Sequence, residues 1–278
     1  MQNVKLNNGL EMPMLGYGVF RVDAGQDGVK AVKTAIESGY RSIDTAAAYR
    51  NEKSVGTAIK ESGVAREDIF LTTKLTNADQ RSGEVEKAFS KSLTELGTDY
   101  VDLYLIHWPV KETYVKTWLE LEKIYKSGRA KSIGISNFQI NHIEEIKKVW
   151  SVVPVMNQIE MHPRLTQKPL IEFCKSQNIV PESWSPLGGT WPDGIQDHLL
   201  DNDVLKKIGS KYNKTTAQII LRWNIDLGVV TIPKSVTPSR IRENIDIFDF
   251  KLTVEEIAAI DALNLDRRVG PDPDNFNF

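Results

Sequence analysis

Short apolar or β-branched runs alternate with segments of helical periodicity along almost the whole chain. This alternation is typical of repeated βα units built around a parallel sheet. The strand-like runs cover residues 41–44, 69–74, 101–107, 132–136, 153–158, 179–184, 229–232 and, more weakly, 245–248. Eight parallel strands are the number that closes a barrel. The pattern therefore predicts an α/β fold, a single (β/α)8 TIM barrel.

Helix ends can also be read from the sequence. A helix over 82–96 is expected to end at Gly97, because glycine readily adopts the left-handed conformation that follows a helix. Two later helices are expected to begin with capping boxes, in which a threonine and a long polar side chain three residues on satisfy each other's backbone N–H groups. The predicted pairs are Thr215 with Gln218 and Thr253 with Glu256.

Three segments lie outside the alternation of strands and helices. Asn8-Gly9 lies between two short apolar runs and predicts a β-hairpin, which we expect to plug the N-terminal mouth of the barrel. Segment 186–203 is rich in glycine and proline and predicts a long, functional loop on the C-terminal face. The tail from Asp266 onward is expected to run as irregular chain.

Length and charge limit the classes of function. A chain of 278 residues is long enough for two domains, but no linker divides it, so we expect one barrel domain over residues 1–278. The formal net charge of −2 provides no electrostatic footprint for nucleic acid or an anionic membrane. The expected partner is a small-molecule substrate. The oligomeric state stays open, and a monomer is compatible with the sequence.

The N-terminal segment is polar where a signal peptide needs an apolar core, and no run is long enough to cross a membrane. Cys174 is the only cysteine and cannot form an internal disulfide, which fits a reducing compartment. We therefore expect a cytoplasmic protein.

Polar side chains stand at or just after the ends of most predicted strands. They are Asp44, Lys74, His107, Ser136 with Asn137, Gln158, Trp184 and Lys234. In eight-stranded α/β barrels the active site is built from the carboxyl ends of the strands and the loops that follow. These side chains are therefore expected to converge at one mouth of the barrel.

Three of these residues, and Tyr49, which follows the run 41–44, also have ordinary structural explanations. Asp44 could cap a helix, which taken alone is the better interpretation. Lys74 could extend its long stem to water. His107 could be a buried histidine satisfied by backbone groups, and Tyr49 an ordinary half-buried aromatic. The functional interpretation rests on their joint placement at the same end of adjacent strands.

Together these four groups suit one kind of chemistry. A tyrosine hydroxyl has a reference pKa of about 10, and a nearby lysine ammonium favours its phenolate form. Asp44 would hold Lys74 as an ion pair, and His107 would direct a substrate oxygen toward the phenol of Tyr49. Such an arrangement suits protonation of a carbonyl oxygen while a hydride reaches the carbon.

Long motifs throughout the chain resemble those of the aldo-keto reductase family, most of all bacterial glyoxal or methylglyoxal reductases and 2,5-diketo-D-gluconic acid reductases. The motifs are MPMLGYGVF at 12–20, GYRSIDTAAAYRNEKSVG at 39–56, LYLIHWP at 103–109, GISNF at 134–138, NQIEMHP at 157–163 and IPKSVTPSRIRENIDIFDF at 232–250. The resemblance implies an NADPH-dependent oxidoreductase that reduces aldehydes, ketones or dicarbonyls, such as methylglyoxal or diketogluconate-like sugars, to alcohols.

The resemblance also implies roles for individual residues. The family's catalytic tetrad corresponds to Asp44, Tyr49, Lys74 and His107, with Tyr49 as the general acid. Its contacts to the nicotinamide correspond to Ser136, Asn137, Gln158 and the stacking aromatic Trp184. Its contacts to the remainder of NADPH correspond to Ser185 and Leu187 near the pyrophosphate, Lys234, Ser235, Val236 and Arg240 around the 2′-phosphate, and Glu243 and Asn244 at the adenine.

The cofactor preference also has a physical basis. A 2′-phosphate adds nearly two negative charges, which Lys234 could meet as a point charge and Arg240 as a planar fork. NADPH is therefore expected to be preferred over NADH. Without the resemblance, the simpler interpretation of this segment is that a helix begins at Thr237-Pro238 and that Arg240 and Arg242 lie on its solvated face.

Gly16 and Gly18 begin like a dinucleotide-binding fingerprint, but the third glycine is missing and no early βαβ unit surrounds them. In the family this loop contributes to the substrate pocket, so Phe20 is expected to line it together with Trp108. Many members carry tryptophan where this chain has Phe20, which leaves the shape of the substrate open.

Two other classes of function are alternatives for a barrel of this kind. The first alternative is a barrel that binds nucleotide as a redox sensor or a partner-binding subunit with little turnover. The second, a metal-dependent hydrolase, needs clustered ligands, whereas the histidines are scattered along the chain, so no metal site is expected. The complete tetrad favours the reductase.

Overall fold

Eight short strands form a parallel sheet that curls until its two edges meet. In the computed structural model, which describes residues 2–189 and 198–278, these eight strands neighbour one another in chain order. A parallel bridge between Leu15 and Thr231 joins the first edge to the last. The predicted TIM barrel is confirmed. A two-stranded hairpin precedes the barrel and consists of β1 (Asn3–Lys5) and β2 (Glu11–Pro13). The eight barrel strands are, in chain order, β3 (Tyr17–Gly18), β4 (Ser42–Asp44), β5 (Phe70–Leu75), β6 (Leu103–Ile106), β7 (Ile133–Ser136), β8 (Met156–Glu160), β9 (Val180–Trp184) and β10 (Val230–Thr231).

The prediction of a strand over 245–248 is wrong. The eighth barrel strand is instead β3, which was not among the predicted runs. It precedes the other seven barrel strands in the chain and pairs with β4. Its two residues are too few to show the period-2 alternation by which strands are recognised. Gly16 and Gly18 serve close packing there, since a Cβ atom on Gly18 would lie 3.1 Å from the carbonyl oxygen of Ile232.

Helices cover the outside of the barrel. They are α1 (Gln26–Glu37), α2 (Glu52–Glu61), α3 (Asn77–Ser82), α4 (Val85–Leu96), α5 (Tyr114–Lys126), α6 (Ile140–Lys147), α7 (Lys168–Ser176), α8 (Asp203–Tyr212), α9 (Thr216–Asp226), α10 (Pro238–Ile245) and α11 (Val254–Asp261). The predicted helix over 82–96 begins only at Val85, because Gly83 takes a left-handed φ of 72° and ends a separate helix. Both predicted capping boxes are present.

The hairpin of β1 and β2 closes the N-terminal mouth, as predicted. The amide of Asn7 donates to the carbonyl oxygens of Pro154 and Asn178, at 3.0 Å each, just before β8 and β9 begin. Leu6 and Met12 are buried against apolar side chains inside the barrel. The hairpin is thus held by polar contacts at its turn and apolar contacts along its strands.

Alternation along the strands divides the barrel interior into an apolar end and a polar end. Near the hairpin the interior holds Phe70, Leu103, Leu105, Met156 and Val230. Further along the strands, toward their carboxyl ends, the interior holds polar or charged side chains. They are Asp44 on β4, Lys74 on β5, Gln158 on β8 and Glu182 on β9. Because the strands are parallel, these polar side chains gather at the C-terminal mouth.

The C-terminal mouth is bordered by the long loop and by the tail. Of the predicted loop 186–203, residues 190–197 lie outside the described part of the chain, and the rest contains a short 3-10 helix at Leu199–Asp201. The tail, residues 266–278, is irregular as predicted. Among the described residues there is no helix long and apolar enough to cross a membrane.

Candidate active site

A buried ion pair lies at the centre of the C-terminal mouth. The Nζ of Lys74, on β5, donates to Oδ1 of Asp44 at 2.6 Å and to the carbonyl oxygen of Thr45 at 3.0 Å. The side chains of Lys74 and Asp44 are 0% and 4% exposed. Lys74 therefore does not reach water and Asp44 does not cap a helix, so both simpler interpretations fail.

Tyr49 and His107 lie beside this pair. Tyr49 ends a 3-10 helix, Ala47–Tyr49, that follows β4 and is stopped by Arg50 in a left-handed conformation. Its ring centroid lies 5.2 Å from the Nζ of Lys74 and 5.6 Å from the ring of His107. The structure thus brings together the four residues predicted to form the tetrad.

Burial determines the protonation states at this site. Burial raises the pKa of Tyr49, and Lys74 opposes this only in part. The expected influence of Lys74 is present, but it does not lower the phenol's pKa overall. Burial alone would lower the pKa of Lys74, yet Asp44 and Tyr49 raise it above its usual value. Burial and the charge of Lys74 lower the pKa of His107 to about 3. At neutral pH, Tyr49 is a neutral phenol, Lys74 an ammonium and His107 a neutral imidazole.

A hydrogen-bonded group of polar side chains adjoins the tetrad. The Oγ of Ser136 donates to the carbonyl oxygen of Gln158 at 2.9 Å, and the amide of Asn137 donates to the carbonyl oxygen of His107 at 2.9 Å. The indole N–H of Trp184 donates to Oδ1 of Asn137 at 2.8 Å. Asn137 adopts a left-handed φ of 66°, which asparagine tolerates better than most residues. The four residues predicted to contact a nicotinamide are therefore adjacent.

A cationic surface follows β10. Lys234 and Arg240 are exposed, and within the described part of the chain neither forms an ion pair. Val236 is 55% exposed. The backbone between them is ordered by Ser235, whose Oγ accepts from the N–H of Thr237 at 3.1 Å, just before Pro238 begins α10. This surface offers positive charge without an internal partner.

The remaining residues predicted to bind cofactor lie around this surface and after β9. Glu243, on α10, accepts from the hydroxyl of Thr215 at 2.7 Å, and Asn244 is buried. Ser185 has a left-handed φ of 48°, and its carbonyl oxygen accepts from the N–H of Gly188 at 2.8 Å. Leu187, within this turn, is half-buried.

Phe20 and Trp108, the two residues predicted to line a substrate pocket, both make aromatic contacts. The ring of Phe20 is 5.1 Å from that of Tyr49. Trp108 packs against two aromatic residues of the tail, Phe276 at 5.2 Å and Phe278 at 5.3 Å between centroids. The ring of Phe20 therefore packs against Tyr49, and aromatic rings of the tail pack against Trp108.

Two buried carboxyl groups at this mouth were missed from the sequence. Glu160, on β8, accepts from the backbone N–H groups of Val269 at 2.5 Å and Gly270 at 3.1 Å, which fastens the tail over the mouth. Glu182 lies inside the barrel on β9 and accepts from Gln158. A strand alternates its side chains, so Glu182 shares the inward face of Trp184, and this signal was available in the run 179–184.

Residues 15–265 match the sequence profile of the Aldo/keto reductase family. The chain belongs to this family. A curated relative is the glyoxal reductase of Bacillus subtilis, 56% identical over 275 residues, which cover 99% of this chain and 97% of that protein. Another is the methylglyoxal reductase DkgA of Escherichia coli, 46% identical over 277 residues and covering 98% and 97%. As an aldo/keto reductase, this protein is an oxidoreductase.

The fold of a solved aldo/keto reductase agrees with that of this chain. The crystal structure of the Bombyx mori enzyme, in complex with NADP, superposes with a TM-score of 0.91 at 40% sequence identity. The match covers 98% of this chain and 96% of the silkworm protein. The likeness therefore extends over the whole barrel, including the mouth where the tetrad lies.

Proposed function

We propose that this aldo/keto reductase reduces small aldehydes, ketones and dicarbonyls to alcohols at the expense of NADPH, with Tyr49 as the general acid. The observation that carries the proposal is the buried pair of Lys74 and Asp44 beside the phenol of Tyr49 and the neutral imidazole of His107. The names of the glyoxal and methylglyoxal reductases among the relatives support dicarbonyls as the substrate class.

The chemistry divides between cofactor and protein. NADPH, when bound, supplies the hydride that reaches the carbonyl carbon. Tyr49 transfers its hydroxyl proton to the carbonyl oxygen, and His107 donates an N–H hydrogen bond that directs this oxygen toward the phenol. An ammonium has three N–H groups, of which Asp44 and Thr45 take two from Lys74, so the third remains for the phenol oxygen. The positive charge of Lys74 stabilises the phenolate left behind.

The residues present fit NADPH. Ser136, Asn137 and Gln158 offer amide and hydroxyl groups to a carboxamide, and Trp184 offers an aromatic face to the nicotinamide ring. We assign Ser185 and Leu187 to the pyrophosphate, and Glu243 and Asn244 to the adenine. Lys234 and Arg240, which form no ion pair within the described residues, suit a 2′-phosphate together with Ser235 and Val236. NADPH is therefore the expected cofactor.

Replacing Arg240 with alanine tests this preference. We expect Arg240→Ala to weaken NADPH binding by roughly tenfold or more, since a charge-assisted bond contributes about 1.5–3 kcal/mol. NADH affinity, which involves no 2′-phosphate, is expected to stay within about twofold. Both affinities can be measured by fluorescence titration. Arg242→Ala is the matched control on the same helix, and an equal loss for both cofactors in Arg240→Ala would contradict the phosphate role.

The reaction itself is tested by a substrate panel. With purified protein, we expect methylglyoxal, glyoxal and other small aldehydes to cause NADPH oxidation, followed by absorbance at neutral pH, with NADH in parallel. Phe20, whose ring lies 5.1 Å from that of Tyr49, and Trp108 are expected to favour compact carbonyls. Tight NADPH binding with no turnover of aldehydes, ketoses or dicarbonyls would instead support the nucleotide sensor.

We further propose that residues 1–278 act as one barrel domain in the cytoplasm. The single cysteine, Cys174, is buried and free, which is consistent with a reducing compartment. Within the described residues, no group of three or more histidine, cysteine and carboxylate side chains could hold a metal ion.

A further inference from the structure

A buried carboxyl group that the proposed chemistry does not use lies beneath the tetrad. Glu182, on β9, is fully buried inside the barrel. Its Oε2 accepts from Nε2 of Gln158 at 2.6 Å, and the same nitrogen donates to Oδ2 of Asp44 at 2.8 Å. The other oxygen of Glu182, Oε1, has no hydrogen-bond partner within the described residues. One amide nitrogen therefore joins a carboxyl group on β4 to a carboxyl group on β9.

These contacts determine which way the amide of Gln158 faces. An amide nitrogen carries two N–H groups, and here each has a carboxyl acceptor. Turning the amide over would place its oxygen against the carboxylate of Asp44, which repels it, and would remove the N–H group from which Oε2 of Glu182 accepts. Only the amide oxygen is then left for a ligand. A cofactor carboxamide has an NH₂ group that can donate to this oxygen.

We propose that Glu182 is a positioning residue which, together with Asp44, holds the amide of Gln158 with its oxygen toward the nicotinamide carboxamide. This inference rests on the proposed NADPH-dependent function and adds a residue to it. Because Gln158 also touches Asp44, Glu182 is linked through two hydrogen bonds to the ion pair that serves Tyr49.

The link predicts an effect of pH. Burial and the charge of Asp44 raise the pKa of Glu182 to about 8, while Gln158 and Lys74 oppose the rise. The charged or titratable groups around it are Asp44 on β4, Lys74 on β5 and Tyr49 after β4. Below this pKa, Glu182 is a neutral acid. Above it, a second negative charge near Asp44 raises the pKa of Tyr49 further, which makes the phenol a weaker acid and slows proton transfer.

Two substitutions separate the hydrogen bond from the charge. Glu182→Gln keeps an oxygen that can accept from Gln158 but cannot ionise. Glu182→Leu has similar volume and offers no acceptor, so one N–H of Gln158 loses its partner and Asp44 alone holds the amide. Replacing a buried carboxyl group with an apolar side chain of similar volume is often tolerated, and thermal unfolding checks this. Glu182→Thr, which is too short to reach Gln158, serves as a second variant without the acceptor.

The readout is cofactor affinity measured by fluorescence titration, with 2′,5′-ADP as a probe that has the 2′-phosphate but lacks the nicotinamide. We expect Glu182→Leu and Glu182→Thr to weaken NADPH about tenfold, the equivalent of one lost hydrogen bond. Their affinity for 2′,5′-ADP is expected to stay within about twofold. Glu182→Gln should bind both ligands like the wild type. Unchanged NADPH affinity in the variants without the acceptor, or an equal loss for 2′,5′-ADP, would overturn the positioning role.

The pH profile is the second readout. In the wild type, the single-turnover rate of methylglyoxal reduction should fall as the pH rises through about 8, and Glu182→Gln should remove this fall. A fall that persists in Glu182→Gln would overturn the link to Tyr49. Failure of the proposed function can be told apart from failure of this inference. If the proposed function fails, the wild type turns over no carbonyl, whereas the affinities for NADPH and 2′,5′-ADP still test the role of Glu182.

Discussion

Tyr49→Phe is expected to lower kcat for methylglyoxal by about a thousandfold, within the range that general acid catalysis contributes. The substitution removes only the hydroxyl group that gives its proton to the carbonyl oxygen. The phenylalanine ring keeps its contacts with Phe20 and His107, so the pocket retains its shape. NADPH affinity is expected to stay within about twofold, since no hydrogen bond to the cofactor is lost.

The measurement pairs steady-state kinetics with a fluorescence titration of NADPH. Tyr114→Phe provides a matched control, because Tyr114 is also partly buried and packs against Phe138 and His142, away from the tetrad. Its turnover should equal that of the wild type. Near wild-type turnover in Tyr49→Phe would exclude Tyr49 as the acid.

Lys74→Met is the second large effect, and it should appear in both activity and stability. Without the ammonium, the phenolate of Tyr49 loses its nearest positive charge, and kcat is expected to fall about a hundredfold or more. The carboxylate of Asp44 would also be left buried without its partner. Breaking a buried ion pair in this way typically costs about 3–5 kcal/mol of unfolding free energy.

The double variant Asp44→Asn/Lys74→Met separates the two effects. It removes the unpaired charge, so urea unfolding should show most of the stability restored, while activity stays as low as in Lys74→Met. Restored activity in the double variant would mean that Lys74 serves folding rather than the phenol. An unchanged urea midpoint in Lys74→Met would contradict the burial of the pair.

Much of the site could be predicted because its residues follow regular strands. Asp44 and Lys74 come at the ends of runs whose parallel arrangement forces them to one mouth, and the structure pairs them. The strand β3 could not be found in this way, because two residues carry no periodicity. It is defined instead by its pairing with Ile43 and Asp44 on β4, and this pairing forms only when the barrel closes.

The roles of the buried carboxyl groups depend on partners distant in the chain. Glu182 lies 24 residues from Gln158, and Glu160 lies 109 residues from Val269. A sequence can predict that a side chain lies on the inward face of a strand, but it does not predict which group, distant in the chain, will contact that side chain. The sequence does not give the net pKa of Tyr49 for the same reason, since the burial that outweighs the influence of Lys74 arises from the whole mouth.

The attachment of the tail at Glu160 divides the pocket wall into a constant and an exchangeable portion. At Gly270 a Cβ atom would lie 2.4 Å from the ring of Trp184, so only glycine fits at this crossing. Phe276 and Phe278 come after the attachment, and their rings pack against Trp108 and against each other. Substitutions restricted to these two positions are therefore expected to change substrate selectivity while leaving the four residues of the tetrad in place.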